Sequence, residues 1–511
     1  MRTTIGELLS KRAFVSPDGE ALVDVASGRR FTFAELDVLA TTAAAGLAGL
    51  GVGKGDRVAL LCVNAPEFVA AYLGCARLGA VTVPLNWRLT PEELAFIVDD
   101  SGTSAMVFSA DFAPAAAALA PRCPSVRCWV QVDGPDALEG VHRLDEVLAA
   151  APAPAPLPDV AEDDLLYLMY TSGTTGRPKG AMHTHATTFA AMLNMVQSMD
   201  YRTGDRYLNC MPLFHVGALQ PLNVLIYRGG TTVLMRAFDP GAVWQLIDDE
   251  SVTSLLAVPA MLTFMADSYD PGTHRLPALR WIITAGSPVP VSLLERYVAM
   301  GIEIHQGYGL TECGGPATIL SGADAVAKLG SAGKAFFHAD VAVVDPDGKP
   351  CPPGDAGEVV IRSSANMTGY WNRPEATEST LRDGWLHTGD VAAMDGDGFV
   401  TILDRLTDMI ITGGENVYPA EVEDAILAHP GVLEVAVIAQ PSDRWGESPC
   451  AVVVRSDPSL GEADVVAWCQ GRLARYKQPR TVVFTDTIPR NPSGKALKRL
   501  LRDQFPGPSP E

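Results

Sequence analysis

Short apolar runs alternate with helical stretches along most of this 511-residue chain, and this alternation restricts the fold more than any other feature. The first clear unit has an apolar run at 57–63, a helical stretch at 66–79 and a second apolar run at 80–85. Such a unit is typical of βαβ structure, in which a helix joins two parallel strands. Similar apolar runs follow at 105–108, 231–234, 254–258 and 281–284. The sequence therefore predicts an α/β fold with mostly parallel sheets covered by helices.

The pattern changes between residues 335 and 402. Short strand-like runs are separated there by Asp-Gly and Pro-Gly pairs at 347–348, 353–354, 383–384 and 397–398. Such pairs are typical of tight turns between antiparallel strands. We therefore expect a small β-barrel-like subdomain or meander, in addition to two helix-covered sheets.

After Arg405 the pattern returns to α+β. Helices are expected at 421–428 and 462–473, with strands at 435–439 and 450–454. This block of about a hundred residues is long enough for a separate small domain. We therefore expect a large domain at 1–404 and a mobile domain at 405–511, with a hinge near 405–408. The Ala/Pro segment 151–158 is predicted to be a surface connector, and the tail 505–511 to be disordered.

The chain carries 39 basic and 60 acidic residues, for a net charge of -21. Nucleic-acid backbones are bound by basic faces, so this charge argues against a nucleic-acid partner. It also repels anionic substrates such as nucleotides, so a few local cations have to hold them.

Nine cysteines are scattered without a CxxC pair, and no histidine lies at metal-ligand spacing. Free thiols in a reducing cytoplasm are the interpretation we adopt. The first residues lack an apolar signal-peptide core, and no run of about 18 apolar residues occurs, so we expect neither export nor a transmembrane segment. The oligomeric state stays open, and a homodimer is compatible with the sequence.

A loop rich in Gly, Ser and Thr follows an apolar run at 165–170 and reads YTSGTTGRPKG at 170–180. Its glycines let backbone N–H groups approach an anion, and its hydroxyls add donors. Lys179 adds a mobile positive charge. A P-loop ATPase does not fit, because Pro178 precedes the lysine and Gly180 stands where Ser or Thr would bind magnesium. The loop is therefore predicted to hold phosphate.

Four further motifs accompany the loop, namely QGYGLTE at 306–312, GWLHTGD at 384–390, DRLTDMIITGGENVYP at 404–419 and PRNPSGK at 489–495. In this order, the five motifs resemble the adenylate-forming superfamily of acyl-CoA synthetases, luciferases and peptide-synthetase adenylation domains. The similarity spans nearly the whole chain and is greatest to bacterial medium- and long-chain fatty-acyl-CoA synthetases.

The resemblance implies an ATP-dependent acid–thiol ligase of fatty acid metabolism. A carboxylate attacks the α-phosphorus of ATP, with Mg²⁺ as cofactor, to give acyl-AMP and pyrophosphate. The thiol of coenzyme A then attacks the acyl-AMP and releases AMP. The partners expected are thus ATP, coenzyme A and a small carboxylic acid. Chemistry of this kind depends on positioning and charge stabilisation.

The resemblance also assigns roles to residues of this chain. Thr311 meets the α-phosphate, Glu312 holds Mg²⁺, Tyr308 lies against adenine, and Lys495 stabilises charge on the reacting oxygens. Asp390 accepts hydrogen bonds from two ribose hydroxyls, and Arg405 adds a second contact to ribose or phosphate. The alternatives that stay open are a turn-capping acid and a domain-interface ion pair. The full ATP-binding set is Thr171, Ser172, Gly173, Thr174, Thr175, Gly176, Lys179, Gly286, Ser287, Tyr308, Thr311, Asp390, Arg405 and Lys495.

In this family the small domain takes two orientations, one bringing in the lysine and the other bringing Gly413 and Gly414 beside the pantetheine. Only a residue without Cβ allows that approach. At the hinge stands Thr407, where relatives commonly carry Lys or Asp. The set expected to bind coenzyme A is Thr412, Gly413, Gly414, Arg88, Trp445, Tyr476, Lys477 and Arg480, and a solvated helix face explains the basic members equally well.

The acyl site is expected at Phe214, His215, Cys313, Gly314 and Gly315, with His215 also counted as catalytic. A histidine beside apolar residues is more often a packed core residue, and only the resemblance supports a functional role for His215. Peptide-synthetase domains hold an amino acid with an Asp at the position of His215, so an α-amino acid is not expected here.

A medium- or long-chain fatty acid is the first choice of substrate, with an aryl or cyclic acid as the alternative. Two other readings stay open. They are an acyl-AMP ligase that loads a carrier protein, and a ligand-binding relative without catalysis.

Overall fold

The computed structural model describes residues 3–151, 158–171, 178–286, 289–321, 324–406, 408–412, 415–442, 445–470, 472–490 and 496–507. Its α-helices are α1 Ile5–Val15, α2 Phe33–Gly49, α3 Pro66–Leu78, α4 Pro91–Ser101, α5 Ala113–Leu119, α6 Leu144–Ala149, α7 His185–Ser198, α8 Val216–Arg228, α9 Pro240–Asp249, α10 Pro259–Ser268, α11 Val291–Ala299, α12 Asp324–Ala327, α13 Pro374–Thr380, α14 Pro419–Leu427, α15 Glu462–Cys469 and α16 Lys498–Gln504. Short 3₁₀ helices lie at Ala110–Phe112 and Thr311–Cys313.

The strands of the first half are β1 Glu20–Asp24, β2 Arg30–Thr32, β3 Arg57–Leu61, β4 Val81–Pro84, β5 Thr103–Phe108, β6 Cys128–Gln131, β7 His142–Arg143, β8 Leu165–Thr171, β9 Lys179–Thr184, β10 Arg206–Asn209, β11 Thr231–Leu234, β12 Ser254–Leu256 and β13 Trp281–Thr284. Those of the second half are β14 Ile304–Leu310, β15 Gly315–Leu320, β16 Lys334–Ala335, β17 Ala339–Val344, β18 Ala356–Ser363, β19 Gly369–Tyr370, β20 Leu381–Arg382, β21 Trp385–Met394, β22 Val400–Arg405, β23 Ile410–Thr412, β24 Glu415–Val417, β25 Val432–Ser442, β26 Gly446–Arg455 and β27 Thr481–Phe484.

Two large, mostly parallel sheets form the core of the larger part. Their strand orders are β16-β15-β14-β13-β12-β10-β11-β1-β2 and β19-β9-β8-β4-β3-β5-β6-β7. Helices α3 and α8 are buried on nearly all sides, and their side chains share one hydrophobic cluster with both sheets. A helix that is apolar all round belongs between two layers, which is where these sequences place α3 and α8. The predicted fold of helix-covered sheets is confirmed.

A third, antiparallel sheet has the order β17-β18-β21-β20, with β22 also paired to β21. Its turns use the predicted Asp-Gly pairs, because Gly348, Gly384 and Gly398 all have positive φ angles of 77° to 85°. Left-handed backbone of this kind is accessible to glycine without a steric cost. The antiparallel layer expected from the turn residues is therefore present.

The last part of the chain has a sheet in the order β24-β23-β26-β25, with β27 paired to β26. Its hydrophobic clusters begin at Ile410, whereas the cluster of the third sheet ends at Ile402. The two parts of the chain thus bury separate apolar cores on either side of residues 403–409.

Several local expectations need correction. The strand predicted at 254–258 ends at Leu256, because Val258 caps α10 and Pro259 occupies its first turn. The helix predicted at 462–473 ends at Cys469, where Gln470 is already extended. The tail is ordered at its start, since the carbonyl of Phe505 accepts a hydrogen bond from Gln440 Nε2 at 3.0 Å. The connector residues 152–157 lie outside the described residues.

No helix within the described ranges combines the length and the apolar composition that crossing a membrane requires. All nine cysteines are free thiols, and eight of them are buried.

Candidate active site

A tight hairpin between β14 and β15 carries Thr311 and Glu312. A Cβ at Gly309 would lie only 2.0 Å from the carbonyl oxygen of Gly315, so only glycine allows the two strands to approach so closely. Gly314 and Gly315 have φ angles of 74° and 128°, which side chains rarely tolerate. The glycines of this motif therefore set the path of the chain, and we call residues 311–315 the active-site turn.

The carboxylate of Glu312 is held by two hydroxyl groups from distant strands. Thr171 Oγ1, at the end of β8, donates to Glu312 Oε1 at 3.1 Å. The hydroxyl of Tyr370, in β19, donates to the same oxygen at 2.8 Å. Burial and the neighbouring Glu312 raise the pKa of Tyr370, so its hydroxyl stays a donor. These contacts orient a carboxylate at the end of the phosphate loop.

The backbone carbonyls of the active-site turn are bound from outside it. His183 Nε2 donates to the Thr311 carbonyl at 2.8 Å, and the Met367 N–H donates to the Glu312 carbonyl at 2.7 Å. Gln220 Nε2 donates to the Gly314 carbonyl at 3.2 Å. Burial raises the pKa of the Cys313 thiol to about 12, so Cys313 is a packing residue and not a nucleophile.

Asp390 joins the motifs around Tyr308 and Arg405. Its Oδ2 accepts a hydrogen bond from the Tyr308 hydroxyl at 2.8 Å, and its Oδ1 lies 3.1 Å from Arg405 Nε. Asp390 and Arg405 are also partners in the pairing of β21 with β22. Burial and the Asp390 charge raise the pKa of Tyr308 well above its ordinary value. Three residues predicted from separate motifs thus lie together.

Both ends of the phosphate loop are described, although its middle is not. Thr171 and Lys179 are paired across β8 and β9, so the loop leaves and re-enters the sheet at one point. The Lys179 ammonium lies 5.2 Å from the centre of the Tyr370 ring. Gly286, which has a φ of 90°, lies two residues after the end of β13. Predicted site residues that lie outside the described residues are Ser172, Gly173, Thr174, Thr175, Gly176, Ser287, Thr407, Gly413, Gly414 and Lys495.

The predicted acyl residues lie beside an aromatic cluster. His215 precedes α8, and its ring centre is 5.6 Å from that of Phe214, which is 5.9 Å from Trp87. The Arg88 guanidinium stacks over Trp87 at 4.6 Å. Burial, reinforced by Arg88, lowers the pKa of His215 to about 4, so His215 is neutral near pH 7.

A narrow apolar cavity of about 10 Å³ lies next to these residues. Gly217, two residues after His215, and Pro316, one residue after Gly315, are part of its wall. Met195 and Met199 of α7 are also part of the wall. Methionine side chains re-pack easily, so this space can widen around an apolar group.

The residues predicted for coenzyme A are spread over two parts of the structure. Thr412 pairs with Gly446, which places Trp445 at the end of β23. Trp445 and Tyr476 are each 37% exposed. The Lys477 ammonium contacts both carboxylate oxygens of Glu421 at 2.7 Å, so its charge is already engaged. Arg88 lies with the acyl residues, and Arg480 is on the surface.

The profile of AMP-binding enzymes matches residues 9–371, and that of the AMP-binding enzyme C-terminal domain matches residues 421–495. The chain belongs to the AMP-binding enzyme family. A long-chain-fatty-acid–CoA ligase, FadD13 of Mycobacterium tuberculosis (strain ATCC 25618 / H37Rv), is 44% identical over 510 residues, which is 99% of each chain. A feruloyl-CoA synthase of Amycolatopsis sp is 42% identical over 507 residues, 98% of this chain and 99% of the relative.

The AMP-binding fold is also found in solved structures. The o-succinylbenzoate CoA synthetase from Bacillus subtilis, in complex with its acyl-adenylate intermediate, matches with a TM-score of 0.89 at 33% identity, over 98% of this chain and 99% of that chain. The family predicted from the motifs and the fold class predicted from the alternation of strands and helices are both confirmed.

Three residues that bind the active-site turn of this AMP-binding enzyme were not predicted from the sequence, namely His183, Gln220 and Tyr370. His183 lies four residues after Lys179 in the strand leaving the phosphate loop, and this closeness to the loop was the one sequence feature that could have indicated a role in the site. Gln220 and Tyr370 have no motif around them, because each meets the turn through a contact between residues far apart in the chain.

Proposed function

We propose that this AMP-binding enzyme is an ATP-dependent acyl-CoA ligase. It joins a carboxylate to AMP with release of pyrophosphate, then transfers the acyl group to the thiol of coenzyme A with release of AMP. The observation that carries the proposal is the active-site turn, where Glu312 is held by the strand that enters the phosphate loop. Relatives that are similar over nearly their whole length are named CoA ligases and synthases.

The residue roles belong to this proposal. Thr311 and Lys179 hold phosphate oxygens, and Asp390 with Arg405 receives the ribose, because a carboxylate accepts several hydrogen bonds at once. Lys495 contributes positive charge where negative charge develops on the reacting oxygens. Each role is one of positioning or charge, so the site needs no covalent intermediate on the enzyme.

Glu312 suits a magnesium ion that arrives with ATP. The turn presents a carboxylate, the oxygen ligand that Mg²⁺ prefers, and two hydroxyl donors fix one of its oxygens. No group of three or more His, Cys, Asp or Glu side chains in the described part of the chain is arranged to hold a metal by itself. Nucleotide phosphates and one or two carboxylates are sufficient for Mg²⁺. When bound, the ion neutralises phosphate charge.

The division into a domain at 1–404 and a mobile domain at 405–511 is part of the same proposal. It is supported by the separate hydrophobic clusters on either side of residues 403–409. Free thiols throughout the chain support a reducing compartment, and we propose the cytoplasm.

A medium- or long-chain fatty acid is the substrate we propose. The cavity beside His215 is apolar and includes two adaptable methionines, and His215 is neutral near pH 7. The wall of this cavity therefore offers a carbon chain apolar contact, and none of the described residues that line it is a carboxylate that would pair an ammonium group. The 44% identical relative is named for long-chain fatty acids.

An aryl acid is the second candidate. The aromatic cluster of Trp87 and Phe214 beside His215 favours a ring, because aromatic groups pack well edge-to-face and offset-stacked. The feruloyl-CoA synthase relative is nearly as similar as the fatty-acid ligase. A carrier-protein acceptor is less favoured, because β21 and β22 form a short hairpin without an inserted segment. Loss of catalysis is also disfavoured, because the sequence keeps every charged residue that the proposal uses, namely Lys179, Glu312, Asp390, Arg405 and Lys495.

Pyrophosphate release tests the proposal. The protein is incubated with MgATP and a panel of fatty, aryl and amino acids, first without and then with coenzyme A. Mass analysis identifies the thioester formed. We expect release with fatty acids and an acyl-CoA product. Release only with aryl acids would select the second candidate, and no release with any acid would contradict ligase function.

A further inference from the structure

We infer that His183 is a positioning residue for adenylation, which fixes Thr311 from the strand that leaves the phosphate loop. The inference rests on the proposed function. Its starting point is one contact: the ring nitrogen Nε2 of His183 lies 2.8 Å from the backbone carbonyl oxygen of Thr311. The two residues are 128 positions apart in the chain, so only the tertiary structure brings them together.

The surroundings of His183 determine its tautomer. A carbonyl oxygen can only accept a hydrogen bond, so Nε2 has to carry the proton. Nδ1 is then an acceptor, and it lies 3.3 Å from the Thr187 hydroxyl, whose one proton also faces the Thr184 carbonyl at 3.2 Å. The ring is fully buried and lies against Tyr167, with the two ring centres 5.0 Å apart. Burial lowers the pKa of His183 to about 4, so this neutral form persists across the working range of pH.

The position of His183 relates it to the nucleotide. The strand β8 enters the phosphate loop and holds Glu312 through Thr171, whereas β9 leaves the loop and holds Thr311 through His183. The predicted magnesium ligand and the predicted α-phosphate ligand are thus each fixed by a different side of the loop. A shift of β8 or of β9 relative to the turn would break the contact that this strand makes.

A neighbouring histidine serves as a comparison. His185 is also fully buried, and burial lowers its pKa to about 4 as well. Its Nδ1 accepts a hydrogen bond from the Ile5 backbone N–H at 3.1 Å, so it anchors the N-terminal helix and does not contact the active-site turn. The two residues share burial, charge state and location, and they differ in what they bind.

Three substitutions at His183 separate positioning from general stability. Gln places an amide nitrogen near the position of Nε2, Asn places one near Nδ1, and Leu removes both. We expect His183→Leu and His183→Asn to lower kcat/KM for MgATP in pyrophosphate exchange roughly tenfold, the upper end for one buried hydrogen bond. His183→Gln should stay within about threefold of wild type, and the KM for the acid should change little in all three.

His185→Leu is the matched control, with Tm measured for every variant. It should lower Tm about as much as His183→Leu but leave kcat/KM for MgATP within about twofold. Equal kinetic losses in the two Leu variants, or no recovery in His183→Gln, would show that His183 only supports the fold. Because Asn is polar and small, His183→Asn keeps the test valid even where His183→Leu does not fold.

Direct MgATP binding, measured by calorimetry without any acid, separates this inference from the proposed function. Wild type that binds MgATP but forms no adenylate would contradict the ligase, and weaker binding in His183→Leu than in His185→Leu would still support positioning. Wild type that binds no MgATP would overturn both. Equal binding in the two Leu variants would overturn the role of His183.

Discussion

The active-site turn and the hinge region are held by different kinds of contact. Around the turn, His183, Gln220 and Tyr370 make neutral donor contacts in a buried setting. The hinge region, by which we mean Asp404, Asp408, Glu423, Lys498 and Arg502, is held by ion pairs between side chains. Lys498 lies 2.8 Å from Glu423, and Arg502 lies 2.7 Å from Asp408.

The charges of the hinge region act on one another. Burial acts to lower the pKa of Lys498, but Glu423, Asp404 and Asp408 together raise it. The pair of Arg502 with Asp408 is partly exposed, and such pairs contribute little net stability, because water and salt replace the partner at small cost. Neutral buried hydrogen bonds have no such substitute, since a lost partner leaves a polar group unsatisfied. The difference fits a rigid nucleotide site beside a part that is predicted to reorient.

The largest expected effect tests whether the C-terminal part contributes to the chemistry itself. Lys495→Ala should slow adenylation about a hundredfold or more, the scale of losing a donor to a developing charge. Pyrophosphate exchange measures it. Arg499→Ala is the control, because Arg499 is exposed on the helix that follows and pairs with Asp503 four residues on. An exchange rate at the wild-type level in Lys495→Ala would remove the assignment.

Acid should lower the stability of the fold through its two buried neutral histidines, His183 and His185. Burial lowers the pKa of His183 and His185 to about 4, against an ordinary value of 6.5. Below that ordinary value the unfolded chain takes up protons that the folded protein refuses, so stability is full above about pH 6.5 and is lost as the pH falls toward 4. Each histidine should cost about 2 kcal/mol at about pH 5.

Urea unfolding at neutral and acid pH measures this loss. His185→Gln should reduce the loss of unfolding free energy between neutral and acid pH, because one buried titrating group is gone. Substitution of the exposed His142 should leave that loss unchanged. An unchanged acid loss in His185→Gln would contradict the burial of a neutral ring.

Asp390→Asn tests the ion pair between Asp390 and Arg405 at the predicted ribose position of the nucleotide site. The change removes the charge facing Arg405, so KM for MgATP should rise about tenfold. Asp395→Asn is the matched control, since Asp395 pairs with Lys328 in an exposed position at the turn between β21 and β22. An equal rise in KM for MgATP in both variants would mean that Asp390 acts only by stabilising the sheet and not by contacting the nucleotide.

Gln220→Leu tests whether the acyl side of the turn is held separately from the nucleotide side. Loss of the bond to the Gly314 carbonyl should raise KM for the acid about fivefold and leave KM for MgATP nearly unchanged. Gln131→Leu is the control, because Gln131 is an equally buried amide that binds backbone carbonyls of Asp133 and Pro135 away from the site. A rise in both KM values would show that the turn moves as one piece.

The smallest effect is expected at the hinge. Arg502→Ala should change the ratio of thioester formation to adenylation by about twofold, and the difference should disappear at high salt, as for other partly exposed ion pairs. Rapid-quench measurement of the two half-reactions at low and high salt provides the ratio, again with Arg499→Ala as control. A salt-independent change would mean that Arg502 acts by packing.

Much of the fold could be predicted from the sequence, because each strand or helix is formed by residues that are adjacent in the chain. The strands at 231–234 and 281–284 were predicted with the observed bounds, since each is a short apolar run between polar turns. Strand and helix ends were less accurate where a cap decided them, as at Val258 and Gln470. The motifs also brought Tyr308, Asp390 and Arg405 together correctly, although their roles stay predictions.

By itself, the sequence determined the local elements, the glycine-dependent path of the active-site turn and the charged residues of its motifs, because these depend on backbone freedom and on near neighbours. Only the tertiary structure decided what holds the turn. His183, Gln220 and Tyr370 bind it from 128, 94 and 58 positions away in the chain. Hydrogen bonds between residues so far apart produce no regular spacing in the sequence from which they could be predicted. The tertiary structure also decided the charge state of His183, because burial among packed side chains, and not the residue type, makes the ring neutral.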